Sequence, residues 1–241
     1  MAIYFPVLRT KRLTVQLKEL SISNSIALNK MPLHLEQASN TAFLRFALTE
    51  NHDIDNWTVA ERTLVICHYL SSLNEDNPNF SVGEKGHYMD YLDGDNDIAD
   101  IEQIVDLGEF GGDFWQIKHL TGYAAEMIER LTGEVQVISG RFHWIIGAMA
   151  AQLVRKTESV EKQFSEEWLL NRMRVIASYS ESDFILLLSM FYAGMESLHH
   201  LFRIDFDDSG IVIMPKQQGV KLPAARFRAT SCLSEFTKTI G

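Results

Sequence analysis

The sequence predicts an α+β fold that is mostly helical, with an N-terminal β-hairpin and a small antiparallel β-insert. Three observations support this class. Capping residues precede apolar segments of helical periodicity, alternating segments lie at the N-terminus, and a Gly-Gly pair separates two strand-like segments near the middle. For the 241 residues, we expect a single mixed domain over residues 1–215 and a basic, extended arm over residues 216–241.

The N-terminal residues alternate between apolar and polar side chains as β-strands do. Apolar residues occupy every second position from Ile3 to Val7 and again from Leu13 to Leu17. A polar stretch, Arg9–Arg12, separates the two runs. Because alternate side chains of a strand point to the same face, this pattern predicts two consecutive strands that form a hairpin.

Three helices are predicted in the remainder of the first half. Ser21 or Ser23 is a suitable N-cap for the first of them. Thr58 and Glu61 have the spacing of a capping box, in which each side chain accepts the backbone N–H of the other residue. The first predicted helix ends at Met31, before Pro32. The second spans Leu35–Leu48, and the third runs from Thr58 to Leu73.

An acidic β-insert is predicted between the helical halves, at about residues 80–120. Val105–Phe110 and Phe114–Leu120 have the composition of strands, and Gly111 and Gly112 lie between them. Glycine readily adopts the positive φ angles that a two-residue hairpin turn requires. The pattern therefore predicts a small antiparallel β-element.

The second half of the chain is predicted to be mainly helical. Apolar residues recur at helical spacing, and Ser165 begins a capping box. Two helices are predicted over Thr121–Leu131 and Ser139–Val154. A third begins at Ser165, and a fourth begins after Ser180 and reaches Leu198. A strand is predicted over Ile211–Met214. Beyond Pro215, the basic arm is expected to be extended or to become ordered only on a partner.

Charge is distributed unevenly along the chain, whose formal net charge is −10. Residues 50–113 contain sixteen acidic and two basic residues, whereas residues 1–20 carry a net charge of +3 and residues 216–241 one of +4. Such charges either satisfy one another within the fold or pair with neighbouring subunits. Neither basic segment is dense enough for strong DNA binding, so no nucleic-acid partner is expected. The candidate interface residues are Arg9, Lys11, Arg12, Arg226 and Arg228, with Asp93, Asp95 and Asp97 as possible counterparts.

Several segments match catalytic or metal-binding motifs only in part. Asp93–Asp97 begins like a calcium-binding loop, but Ile98 and Ile104 replace the glycine and the glutamate that such a loop requires. His199 and His200 are adjacent, so on a helix they diverge by about 100° and cannot easily bind one ion. The sequence contains neither a glycine-rich phosphate loop nor a nucleophile elbow. We therefore expect a non-enzymatic protein without catalytic, cofactor-binding or metal-binding residues.

Cysteine content and hydropathy indicate the compartment. Cys67 and Cys232 lie far apart in the sequence and form no Cys-x-x-Cys motif. The longest apolar stretches are shorter than the roughly 20 residues that span a bilayer. Synthesis in a reducing cytoplasm is therefore expected, and no membrane partner is expected.

Four longer motifs resemble proteins of contractile-tailed bacteriophages. They are Phe-Pro-Val-Leu-Arg-Thr-Lys-Arg-Leu-Thr-Val at residues 5–15, Trp-Thr-Val-Ala-Glu-Arg at 57–62, Arg-Phe-His-Trp-Ile-Ile-Gly-Ala-Met-Ala at 141–150, and Met-Phe-Tyr at 190–192. The predicted elements also follow one another in a familiar order: strands at the N-terminus, then helices, a central β-insert and a helical second half. In this order the chain is similar to T4-type baseplate hub and tail-assembly proteins. Such proteins can carry Cys-x-x-Cys pairs in the β-insert, but this sequence has none, so no zinc site is carried over.

The resemblance implies a structural or assembly component in the hub region of a phage tail baseplate. The protein would be made in the host cytoplasm and become part of the virion, in several copies within a symmetric assembly. Its partners would be other tail proteins of the hub, tube, wedge or tape measure. The first alternative is a transient assembly chaperone for the tail or tape measure that leaves the particle. The others are an enzyme that degrades cell-wall glycan through acidic residues and a small-molecule-binding module built on aromatic helices.

Overall fold

The computed structural model describes residues 3–74, 77–158, 163–217, 219 and 221–240 of the chain. Its helices and short antiparallel sheets confirm the predicted α+β class. The helices are α1 (Ile22–Asn29), α2 (Glu36–Ala47), α3 (Val59–Leu73), α4 (Gly122–Arg130), α5 (Gly140–Gln152), α6 (Glu166–Ala177), α7 (Glu181–Ser197) and α8 (Glu235–Ile240). The strands are β1 (Leu8–Arg9), β2 (Thr14–Val15), β3 (Ser81–Val82), β4 (Gly86–His87), β5 (Val105–Phe110), β6 (Asp113–Ile117), β7 (Leu153–Arg155), β8 (Arg203–Asp207) and β9 (Gly210–Met214).

The predicted N-terminal hairpin is present. β1 and β2 pair antiparallel, with Leu8 opposite Val15. Phe5, Val15 and Leu17 are buried in the first of two hydrophobic cores, which side chains of α2, α3 and the C-terminal segment also fill. The hairpin therefore covers one side of this core, and its turn carries the polar residues 10–12.

Most helices begin at the side chains that the sequence predicts. The N-cap side chains of α1, α4, α6 and α7 each accept a backbone N–H from the first turn. Thr58 and Glu61 form the predicted capping box at the start of α3. Local hydrogen bonding thus determines where these helices begin.

The N-terminus of α2 is capped from another helix. Leu35 at its N-cap position has no side-chain oxygen to offer. Instead, the buried carboxylate of Glu129 on α4 accepts the backbone N–H groups of Gln37 and Ala38 at 2.8 and 3.1 Å. Burial raises the pKa of Glu129 to about 7 in spite of these hydrogen bonds. The contact joins α2 to α4.

The central β-insert forms as predicted and gains a third strand. β5 and β6 pair antiparallel across Gly111 and Gly112, whose φ angles are 62° and 82°. β7 adds to the other edge of β6, with Leu153 opposite Ile117. The apolar pattern of the sequence predicted that residues 153 and 154 belong to the preceding helix. In the structure, the backbone becomes extended at Leu153 because the edge of β6 offers hydrogen bonds that a helix terminus lacks.

Side chains of this sheet and of α4–α7 build the second hydrophobic core. A further hairpin follows α7, in which β8 and β9 pair antiparallel. Only β9 was predicted from the sequence, although the charged and apolar residues of β8 alternate strictly, as they do in a half-buried strand. Ile204 of β8 packs against both cores. The two cores are therefore in contact through this hairpin.

The C-terminal segment corrects the expectation of a partner-dependent arm. Ala225, Phe227 and Ala229 are buried in the first core, and Cys232 and Leu233 follow them. Ala225 also exchanges two backbone hydrogen bonds with β9. Apolar residues in this segment looked isolated in the sequence. Because they alternate, they reach the core together while the intervening polar residues face outward.

The starts of α3 and α4 lie side by side, joined by an antiparallel bridge between Thr58 and Thr121. Arg62 on α3 is only 1% exposed and passes beneath the first turn of α4. A Cβ atom at Gly122 would lie 1.6 Å from Nε of Arg62, so only glycine fits there. The guanidinium donates to the carbonyl of Ile54 at 3.0 and 2.8 Å. This buried arginine fixes how the two helices pack.

Candidate functional site

The basic N-terminus and the acidic middle of the chain meet within one molecule. The backbone N–H of Lys11 donates to Asp97 at 2.7 Å. The guanidinium of Arg12 forms a bidentate pair with Glu61, at 2.7 Å to Oε1 and 2.9 Å to Oε2. Two of the candidate interface residues, Arg12 and Asp97, are therefore engaged inside the fold.

Other candidate interface residues in this region lie at the surface. Arg9, Asp95 and the side chain of Lys11 are exposed. Asp93 is partly buried and accepts an amide hydrogen of Asn96 at 2.8 Å. The three exposed residues lie in or next to turns, where a partner protein could reach them.

Basic residues near the C-terminus also pair internally. Nη1 of Arg226 lies 3.1 Å from Oε2 of Glu36, and Nε of Arg228 lies 2.9 Å from the same oxygen. Arg226 also pairs with Asp207 at the β8–β9 turn. These contacts hold the C-terminal segment against the first turn of α2. For these arginines, the structure corresponds to the alternative in which opposite charges satisfy one another within the fold.

A buried polar cluster lies where the first hairpin, α3 and the segment after α7 meet. Glu61 is fully buried, and its carboxylate accepts the N–H of Thr58 at 2.8 Å in addition to the Arg12 guanidinium. His200 is 2% exposed, and its Nε2 lies 3.7 Å from Oε1 of Glu61. The ring of His119 lies edge-on to that of His200, with 6.2 Å between the ring centroids. We call Arg12, Glu61, His119 and His200 the polar cluster.

The polar cluster keeps Glu61 ionised. Burial alone would raise the pKa of its carboxyl group, but Arg12, the nearby imidazole of His200 and the N–H of Thr58 lower that pKa to about 2. Burial, assisted by the neighbouring His200, lowers the pKa of His119 to about 4. At neutral pH the cluster therefore holds a carboxylate, a guanidinium and an uncharged His119.

A left-handed backbone residue orients His200. Leu201 has a φ of 59°, a conformation that costs about 1–2 kcal/mol for residues other than glycine. Its N–H donates to the carbonyl of Asn96 at 3.1 Å, and its carbonyl accepts the N–H of Asp93 at 2.7 Å. Because the Leu201 side chain is also buried, loop and core contacts hold this conformation in place.

A small cavity of about 110 Å³ lies beside the polar cluster. It is lined by polar groups of His119, Gln152, His199 and His200 and by apolar side chains that include Leu198. Four buried polar atoms at these residues have no hydrogen-bond partner within the described part of the chain: Nε2 of the three histidines and Oε1 of Gln152. Buried polar groups are normally satisfied, so this concentration marks the cavity as a candidate binding site.

His119 also lines a second, larger cavity of about 380 Å³. Ile104 and Phe164 contribute apolar walls, which is typical of small-molecule sites. Asp53 and Glu102 both border this cavity. A pair of carboxylates at one cavity is what the glycan-degrading alternative requires.

Metal and thiol chemistry receive little support from the geometry. Within the described ranges, no three histidine, cysteine, aspartate or glutamate side chains are grouped so that they could hold a metal ion. Cys67 and Cys232 are free thiols buried in the first core. Burial raises the pKa of both thiols, so they remain protonated at neutral pH.

The helix α7 exposes apolar side chains that its packing does not require. Ten of its 17 residues are apolar, but of these only Leu187 and Phe191 are buried. Four others are partly buried against the second core: Phe184, Leu188, Tyr192 and Met195. Ile185 is 57% exposed and Leu186 is 53% exposed. A helix that packs on one side, here against β5 and β6, normally carries polar residues on the other. Apolar residues on the outer side therefore indicate an interaction surface.

The exposed face of α7 comprises Ile185, Leu186, Ser189 and Ala193, which are all exposed. Ile185 and Leu186 are adjacent, and Ser189 and Ala193 follow at intervals of about one turn. Two exposed acidic residues precede them in the first turn of the helix. A protein that covers this face would therefore need apolar side chains bordered by basic ones.

Sequence reasoning identified only part of these surfaces. Glu61 was recognised as a capping residue and His200 as one of two adjacent histidines, but no spacing rule brings them together with His119. A signal for the exposed face of α7 was present. Phe184–Leu188 are five consecutive apolar residues, and a helix packed on one side cannot bury all of them.

None of the helices in the described ranges is both long enough and apolar enough to cross a lipid bilayer. A scan against protein-family models gives no match to this chain. Searches of curated proteins and of solved structures give no significant match either.

Proposed function

We propose that the protein is a structural or assembly component of a bacteriophage tail baseplate, in its hub region, and that it acts through protein–protein contacts. The resemblance of residues 5–15, 57–62 and 141–150 to tail proteins supports the setting. The exposed face of α7 is the observation that carries the mode of action. A protein with this role is retained by its neighbours, and an apolar helix face supplies the affinity for such contacts.

The occupant of the exposed face of α7 is another tail protein that presents an apolar segment bordered by lysine or arginine. Ile185 and Leu186 provide the apolar contact, and the acidic first turn of the helix selects the basic border. The exposed charges of Arg9, Lys11 and Asp95 lie elsewhere and are available to orient further neighbours. Several contacts of this kind suit a subunit present in multiple copies.

The test is complementation of a phage that lacks this chain. We expect the double substitution Ile185→Glu and Leu186→Glu to reduce the yield of complete tails at least tenfold, because it places charge in the proposed contact. Thermal unfolding of the isolated variant should match that of the wild type, since both side chains are more than half exposed. Leu33→Glu, at a residue 78% exposed outside α7, is the matched control and should assemble normally. Normal tail assembly by the double variant would contradict the proposal.

The alternatives have separate signatures. A transient chaperone would be needed for assembly yet missing from purified tails. A glycan-degrading enzyme would clear a cell-wall zymogram, and Asp53→Asn or Glu102→Gln would abolish the clearing because these residues border the larger cavity. The assembly proposal predicts no clearing by the wild-type protein.

A further inference from the structure

The small cavity beside the polar cluster is lined by polar side chains that are nine-tenths or more buried. His200 is 2% exposed, Gln152 is 4% exposed and His119 is 8% exposed. Each of them presents a nitrogen or oxygen atom without a hydrogen-bond partner among the described residues. A folded protein rarely concentrates such atoms in one place unless a bound molecule satisfies them.

Hydrogen bonds on the far side of two of these side chains determine what they present to the cavity. Nε2 of Gln152 donates to the carbonyl of Lys118 at 2.9 Å, so its Oε1 is an acceptor. Nδ1 of His199 lies 3.2 Å from the amide nitrogen of Asn96, which can only donate. In the uncharged imidazole of His199, the proton is therefore on Nε2, and that atom is a donor, which also lies 3.8 Å from the carboxylate of Asp93.

The other two histidines complete the pattern. Nδ1 of His200 lies 3.2 Å both from the backbone N–H of Ile98 and from the carbonyl of Asn96, and its Nε2 lies 3.7 Å from the carboxylate of Glu61. The carboxylate favours a proton on Nε2, so His200 presents a second donor. His119 is uncharged at neutral pH, and its Nε2 donates or accepts according to its tautomer.

The cavity thus presents both donors and acceptors, and the two oppositely charged side chains in its lining, Glu196 and Arg203, pair with each other. An anion would be disfavoured by Oε1 of Gln152 and by the carboxylates of Glu61 and Asp93 next to His200 and His199, and an ammonium group would meet the N–H groups of these two histidines. A hydroxyl group both donates and accepts, so it satisfies either kind of neighbour. The volume of about 110 Å³ corresponds to roughly three or four water-sized groups. Apolar lining from Leu198, among others, suits the carbon atoms that carry the hydroxyls.

We propose that this cavity binds a small, uncharged polyhydroxy compound of about the size of glycerol, held by His119, Gln152, His199 and His200. The ligand enters between Glu196 and Arg203, which form an ion pair and also line the cavity. The carboxyl side chain of Glu196 is 54% exposed, so this pair lies at the solvent side. The proposal is independent of the assembly function proposed above.

The experiment is a titration of the full chain with glycerol, followed through the imidazole nitrogen and carbon-bound proton signals of its eight histidines by NMR. We expect saturable changes at His119, His199 and His200. The exposed His34 serves as an internal reference and should not respond. Propan-1-ol, which has the same carbon chain and one hydroxyl, should bind at least tenfold more weakly.

Two variants test the assignment. Gln152→Met removes the acceptor at nearly constant volume, and we expect at least tenfold weaker glycerol binding. Ala60→Val adds two methyl groups to the wall of the same cavity and should abolish binding. A single cooperative unfolding transition confirms that each variant is folded, and either folded variant is sufficient for the test. Unsaturable changes shared by His34, or wild-type affinity in a folded variant, would overturn the proposal and leave a cavity that holds only water.

Discussion

Replacing Glu61 with glutamine removes one charge from the centre of the polar cluster and preserves the length of the side chain. Glutamine also works at this position of a capping box, so the hydrogen bond with Thr58 is retained. The pKa of Glu61 falls from 4.5 to about 2 on folding, which corresponds to roughly 3 kcal/mol of stabilisation at neutral pH. Water partly solvates the remaining Arg12, whose side chain is 25% exposed. We therefore expect the free energy of unfolding to fall by about 2–3 kcal/mol.

The dependence on pH distinguishes this charge effect from a packing effect. A carboxyl group with a lowered pKa stabilises the fold fully above pH 4.5, and the contribution is lost as the pH falls through 2. The stability difference between wild type and Glu61→Gln should therefore be largest at pH 7 and shrink between pH 4.5 and 2. Urea unfolding, followed by the fluorescence of the four tryptophans, measures this difference at each pH.

An exposed ion pair provides the matched control. Glu235, whose side chain is 89% exposed, pairs with Lys238 at 2.8 Å. Glu235→Gln removes the same charge at the surface and should change stability by less than about 0.5 kcal/mol. Equal stability of wild type and Glu61→Gln at pH 7 would refute the reasoning. So would a difference that persists unchanged down to pH 2.

Three further predictions concern packing, pH and thiol reactivity. Gly122→Ala should lower the free energy of unfolding by about 1–3 kcal/mol or more, because its Cβ would lie 1.6 Å from Nε of Arg62; Gly94→Ala, with no atom within 4 Å of the added Cβ, should be neutral in the same thermal melts. Burial raises the pKa of Glu129 to about 7, so the stability that its protonated form contributes is full below pH 4.5 and is lost as the pH rises through 7. Glu129→Gln should remove this dependence of stability on pH, measured by urea titrations at several pH values, and an unchanged dependence would contradict the assignment. The two buried cysteines should react with a thiol reagent only as fast as the protein unfolds, and rapid labelling of the native protein would show that they are accessible.

Elements whose ends depend on neighbouring residues could be predicted from the sequence. The capping box of Thr58 and Glu61 and the turn at Gly111 and Gly112 depend on residues close together in the chain, and the structure contains both. β7 could not be predicted in this way, because its extended backbone depends on the edge of a strand far away in the sequence. Tertiary pairing overrides local helix preference at such positions.

The polar cluster illustrates why the site was beyond sequence reasoning. Glu61, His119 and His200 lie in separate segments, and each has an ordinary local explanation as a capping or core residue. They meet because α3 and α4 begin side by side and because Leu201 turns the chain toward them. The uneven charge of the chain was visible in the sequence. Whether its basic ends would pair internally or with neighbours depended on contacts that only the fold specifies.

The central claim is that this chain is a built-in component of a phage tail. Quantitative mass spectrometry of purified tails, from a phage whose genome contains this sequence, tests that claim most directly. We predict that the chain is present in a fixed ratio to the other baseplate proteins and remains after the tails are washed in high salt, because apolar contacts supply the affinity. Absence of the chain from tails and whole particles, despite its expression in the infected cell, would contradict the claim.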